Sequence, residues 1–156
     1  MILNSNKKGF SLIEIVVIIG IFIIILSIST FSFSKYKSQK QIEITIDSIS
    51  SKLEEAKINA LSGKNGKNFG IEFGTSTYIY FSGNSYNPSD VTNQINNIDK
   101  NILITKNISG GGNSIIFSRL SGKPLNTGTI IISDINNASS TASIDIGTLG
   151  DINVLK

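Results

Sequence analysis

"FSLIEIVVIIGIFIIILSISTFSF", residues 10–33, is a run of 24 residues with a single charge, Glu14. About 20 apolar residues cross a bilayer as a helix, so the stretch predicts a membrane-spanning helix over 10–34. Gly20 is tolerated in such helices. Lys7 and Lys8 precede the run and favour a cytoplasmic N-terminus, while Lys35, Lys37 and Lys40 follow it and weaken the asymmetry. Phe31, Phe33 and Tyr36 fall where an aromatic belt would meet the outer interface. A cleaved secretory signal fits less well. Its apolar region spans roughly 7–15 residues and ends in an A-x-A site, which is lacking here.

Glu14 is the anomaly. A carboxylate near the membrane centre costs about 2.5–3.5 kcal/mol on insertion scales. Its place early in the run lets it snorkel towards the cytoplasmic interface, which lowers the cost. A buried acid still calls for a cation, and no Lys or Arg occurs between Phe10 and Ser34. The partner must come from another molecule or from a new amino terminus. A simple membrane anchor leaves the acid unexplained.

Gly9-Phe10-Ser11-Leu12-Ile13-Glu14, behind a basic leader and ahead of an apolar helix, resembles the class III signal of type IV pilins and type II secretion pseudopilins. The resemblance implies that a prepilin peptidase cuts between Gly9 and Phe10 and N-methylates Phe10. Residues 1–9 would be the leader, with Lys7 and Lys8 as its charges. It further implies that Glu14 pairs with the Phe10 amine of a neighbouring subunit in a filament. The chemistry is consistent, because a buried amine and a buried carboxylate are each costly alone. Their pairing favours one axial stagger, which makes Glu14 an assembly residue.

Beyond the run, Ile42, Ile46, Ile49, Leu53, Ala56 and Ala60 recur at alternating spacings of four and three. They form one apolar stripe of an amphipathic helix over 35–62, which Gly63 would cap. A continuous helix from Phe10 to about Ser62 would measure roughly 80 Å at about 1.5 Å per residue. Residues 63–156 read as a β-rich head. Strands are expected at 69–73, 77–83, 101–108, 114–120, 128–134, 142–147 and 152–155, with a hairpin turn at Gly74-Thr75-Ser76 and a polar loop over 84–100. The fold class is therefore α+β. A long N-terminal helix, membrane-spanning in its first half and amphipathic in its second, packs on an antiparallel β-sheet or small β-sandwich. Phe117, Gly122, Ile130, Ile132, Ile144, Ile146 and Gly150 resemble the pattern of the GspH/FimT-type pseudopilin domain.

Composition removes several chemistries. The chain has neither cysteine nor histidine, which excludes disulfides, thiol nucleophiles, Ser-His catalysis and the usual zinc sites. Asp90, Asp99, Asp134 and Asp145 are scattered and suggest no metal site, and no cofactor is expected. "SGKP" (121–124) lacks the glycine spacing and the Ser/Thr of a phosphate loop and reads as a turn, as does "SGGGN" (109–113). Beyond Phe33 there are twelve basic and ten acidic side chains, so the soluble part is near neutral. Arg119, Lys123 and Lys156 are the candidates for weak nucleic-acid contact, but such contact needs clustered cations.

These readings converge on a non-enzymatic minor pilin or pseudopilin of a type II secretion pseudopilus or type IV pilus. A DNA-binding minor pilin of natural competence is the alternative. The implied partners are other pilin subunits, a prepilin peptidase, and an inner-membrane assembly platform with its ATPase; nucleic acid is not expected. The N-terminus would be cytoplasmic and the head extracytoplasmic. Helices of the resembled family carry a proline late in the span, where this chain has Phe31 and the β-branched, serine-rich Ser27-Ile28-Ser29-Thr30. Such residues are poor helix formers, so this stretch is expected to loosen in a filament. Hydrogen exchange on assembled fibres should show fast exchange at 27–30, and full protection there would refute the expectation.

Overall fold

The computed structural model describes residues 9–156, and the side chains of 28–34 and 138–139 lie outside that description. Two compact units divide at Lys37/Ser38. The first holds the start of helix α1 (Leu12–Leu61), and the second is a head over Ser38–Lys156. Residues 27–30 are helical in the chain.

The head is built on the predicted stripe. Ile42, Ile46, Ile49, Leu53, Ala56 and Ala60 are all buried. Gly63, in the left-handed region at φ 64°, ends the helix, as its lack of a Cβ permits. A single turn of 3-10 helix (Lys64–Gly66) follows.

Among the described residues, eight strands form two four-stranded antiparallel sheets. The first orders β3-β2-β1-β5, from β1 (Phe69–Phe73), β2 (Thr77–Ser82), β3 (Gln94–Asn97) and β5 (Ser114–Phe117). The second orders β4-β6-β7-β8, from β4 (Ile102–Ile108), β6 (Gly128–Asp134), β7 (Asn137–Ile146) and β8 (Ile152–Leu155). Alternation of side chains along each strand gives each sheet one apolar face. In the second sheet, rows such as Ile104–Ile132–Ala142 and Ile130–Ile144–Val154 cross the strands. Phe69, Ile71, Phe73, Tyr78, Tyr80, Ile115 and Phe117 supply the first sheet's share. Both faces and the helix stripe form one core cluster.

Polar contacts fix the helix on this core. Ser48 Oγ and Tyr78 Oη lie 2.5 Å apart, and Asn59 Nδ2 donates to Tyr80 Oη at 2.7 Å. Burial pushes the Tyr80 phenol up, against the lowering effect of Asn59. Lys106 sits on β4 opposite Ile130, and its ammonium donates to the Phe73 carbonyl (2.7 Å) and to Asn113 Oδ1 (2.9 Å), which links the two sheets. On the other face of the first sheet, Phe81 is buried against Tyr86, with ring centroids 5.7 Å apart.

Several expectations need correcting, among them the helix start, at Leu12 instead of Phe10, and the end of β2 at Ser82 and the start of β4 at Ile102, each one residue short. Residues 94–97, read as loop, form β3 and pair with β2 through Ile79 and Ile95. This edge strand is largely exposed, so its polar composition carries no strand signal. Strand β5 stops at Phe117, not 120, because Ser118 N–H closes a turn onto the Lys123 carbonyl and Leu120 takes φ 64°. Strand β7 starts at Asn137, not 142, since a bulge at Ser133/Asp134 lets Asn137 pair with Asp134. The helix ends at Leu61, one residue early. The hairpin at Gly74 is present, with its N–H donating to Thr77 O at 2.8 Å.

Asp134 is a buried carboxylate that accepts from the Ser38 hydroxyl and, at 2.7 Å, from the Asn136 N–H. The Ser38 hydroxyl, then the Asn136 N–H, hold its pKa below the ordinary 3.8. A depressed carboxylate stabilises the fold above its unfolded pKa, and this contribution is lost as pH falls through the folded value. Denaturation of the full chain in non-ionic micelles should therefore lose stability as pH falls below 3.8. Asp134→Asn should flatten that acid limb, and an unchanged slope would show that Asp134 does not contribute.

Candidate processing and assembly site

The region around Glu14 is organised by the start of α1. Gly9, Phe10 and Ser11 precede the helix. The Ser11 carbonyl accepts from the Glu14 N–H at 3.0 Å and from the Ile15 N–H at 3.3 Å. Ser11 is thus the N-cap residue and Glu14 the third helical residue, in the first turn. Acids are favoured there by the unpaired N–H groups and the helix dipole. Ser11-x-x-Glu14 is also the capping-box pattern, a signal legible in the sequence that the partner-based account of Glu14 left unused. A carboxylate in this position is suited to its own helix end as well as to an external amine.

The bond between Gly9 and Phe10 lies in non-helical chain, and Phe10 is 75% exposed. Backbone outside a helix is the form a peptidase can grip, since its N–H and C=O groups are not tied into the helix ladder. Past Glu14 the helix is apolar on every face. From Leu12 to Leu26 each large apolar side chain is exposed, with Ile18 the least so at 39%. A helix apolar all round must be covered by something other than water. Ser27 does not break this surface with an unpaired hydroxyl, because its Oγ donates to the Ile23 carbonyl at 2.7 Å.

Among the described residues no helix is long and apolar enough to cross a membrane. The apolar run continues into 28–34, whose side chains, Phe31 and Phe33 included, are outside the description, as are Lys7 and Lys8.

Residues 4–30 match the family model described as the prokaryotic N-terminal methylation motif. The chain carries that methylation motif. The match includes Gly9, Phe10 and Glu14, and it supports a pilin-like subunit of the type IV pilin or pseudopilin kind, a structural class processed by a prepilin peptidase. The methylation motif ends at residue 30, before the head begins. Comparison with curated proteins and with solved structures gave no match.

The three candidate nucleic-acid contacts are not brought together. Arg119 and Lys123 share the turn between β5 and β6. Lys156 follows β8 and pairs with Asp47 on the helix at 2.8 Å. Gly150, before β8, packs against the Gly122 carbonyl, so the length of β8 separates Lys156 from that turn. Lys64 and Lys67, which the sequence reading did not single out, lie on the connection beside Arg119.

Asp90 and Asp99 serve their own loops, and Asp145 a cross-strand pair. Asp90 accepts from the Thr92 N–H (2.9 Å) and hydroxyl (2.7 Å), which hold its carboxyl below the ordinary range. Asp145 accepts from Thr129 at 2.9 Å and Asp99 from the Asn101 N–H at 2.9 Å. Among the described residues no group of three or more acids is placed to hold a metal ion.

Proposed function

We propose that this protein is a structural minor pilin or pseudopilin subunit of a type II secretion pseudopilus or type IV pilus. In this reading a prepilin peptidase cuts between Gly9 and Phe10, methylates the new Phe10 amine and releases the leader bearing Lys7 and Lys8. Residues 10–34 anchor the subunit in the cytoplasmic membrane, leader side inward and head outward, until the subunit passes into a filament core.

One observation carries the reading. The single carboxylate of an exposed, all-round apolar helix stands in its first turn, four residues from the amine that cleavage at Gly9 would free. Within a filament, Glu14 of one copy meets Phe10 of its neighbour. Both charges are then paired and the apolar surfaces of adjacent helices cover one another. The pair sets the stagger between subunits, because a displaced neighbour would leave two buried charges uncompensated. Filament growth draws on an assembly ATPase with its membrane platform and on other pilin subunits. The head, whose β-strand pattern resembles the GspH/FimT type, decorates or caps the fibre and performs no chemistry.

Mass spectrometry of the protein from its own cells should find a chain beginning at N-methylated Phe10. An intact Met1 or a cut near Ser34 would overturn the reading. Glu14→Leu should leave the protein in the membrane fraction but abolish its recovery in sheared filaments, whereas undiminished recovery would remove Glu14 from assembly.

A further inference from the structure

The end of the head at which α1 stops has a construction that the N-terminal assembly reading does not use. Three connections meet there: residues 61–68 after the helix, 118–125 between β5 and β6, and 147–151 between β7 and β8. They are locked by close approach. A Cβ on Gly122 would fall 2.5 Å from Leu61 Cγ, and one on Gly150 would fall 2.6 Å from the Gly122 carbonyl oxygen. The Leu120 N–H donates to the Ala60 carbonyl at 2.8 Å, and the Arg119 N–H to Asn68 Oδ1 at 2.8 Å.

This rigid pole presents Leu61, Leu120 and Leu149 to solvent. Leu120 is the telling residue. It holds φ 64°, a conformation unfavourable for a side chain of this kind, and yet its side chain is 64% exposed. Its Cδ2 reaches the bare Cα of Gly63, 2.9 Å from where a Cβ there would stand, yet most of the side chain still faces solvent, and such strain concentrates at binding sites. Charge reinforces the point. Residues 38–156 contain ten basic and ten acidic side chains. The three connections nevertheless hold Lys64, Lys67, Arg119 and Lys123 against Asp151 alone. Lys67 also faces Asp90, whereas Lys64, Arg119 and Lys123 form no ion pair among the described residues.

We infer that this pole is a docking surface for an acidic protein segment bearing leucine-like side chains. The leucines offer an apolar centre and the cations a rim that attracts and orients carboxylates. Nucleic acid fits less well, because the three connections contain no aromatic side chain on which a base could stack. The surface is independent of Phe10 and Glu14, so either proposal can fail without the other.

The test uses the full chain in non-ionic detergent, titrated with labelled peptides of alternating Glu/Leu, Glu/Ser and Lys/Leu and with a single-stranded oligonucleotide. The Glu/Leu peptide should bind at least about tenfold tighter than the other probes. Leu120→Gly should weaken Glu/Leu binding about tenfold while leaving the melting temperature unchanged or raised, since glycine accepts this backbone freely. The combined Lys64→Glu, Arg119→Glu and Lys123→Glu variant should reverse the preference towards Lys/Leu. Equal binding of Glu/Ser and Glu/Leu would overturn the apolar centre, and tighter oligonucleotide binding would make this a nucleic-acid site. A destabilised Leu120→Gly protein would show that the leucine is kept for packing.

Discussion

The head depends on one constraint: a single helix face must complete two sheets at once. The stripe from Ile42 to Ala60 is fully enclosed, and the inner faces of both sheets join it in one cluster. The two sheets are separate hydrogen-bonded ladders, and their apolar sides meet the stripe in a common interior. Burial of branched and aromatic side chains drives the arrangement, and each fully buried side chain of this size contributes about 1.5–3 kcal/mol. Ala56 and Ala60 near the helix end are fully buried, and the Ala60 carbonyl accepts from the Leu120 N–H.

The same helix follows a different rule earlier in the chain. Up to Leu26 it has no polar face, whereas from Ile42 it has one apolar stripe bordered by Lys40–Glu43, Lys52–Glu55 and Lys57–Glu54 ion pairs. These solvent-reaching, partly exposed pairs contribute little stability, but they keep the outer surface of the helix wet. The two halves therefore present different surfaces to their surroundings. Glu14 is the exception within the apolar half, and its first-turn position makes it compatible with its own helix end.

Much of this was legible beforehand, for physical reasons that differ by region. Helical periodicity named all six stripe residues, since burial on one face leaves a spacing that only a helix produces. Strands β1, β4 and β6 were readable from β-branched runs between turn residues. Strand β3 was not, because an edge strand open to water on both faces needs no apolar alternation. The division into two sheets was also hidden. Consecutive strands β4 and β5 fall in different sheets, and the turn at 109–113 gives no local sign of which partner each will choose. At the N-terminus the residue types and their order pointed to Gly9, Phe10 and Glu14, which fall within the matched methylation motif. The cationic pole stayed unseen because Lys64 and Arg119 are brought together only by the meeting of distant connections.

Lys106 has a consequence for the fate of the molecule at high local density. Strand β4 is seven residues long and lies at the margin of its sheet, so its outer rim offers unsatisfied backbone groups to any chain that approaches. A cation on the inward side of such a strand, tethered to Phe73 and Asn113, must remain bonded where it is, and a foreign strand stacking alongside would have to accommodate or desolvate it. Crowded heads are thereby discouraged from fusing through cross-β growth.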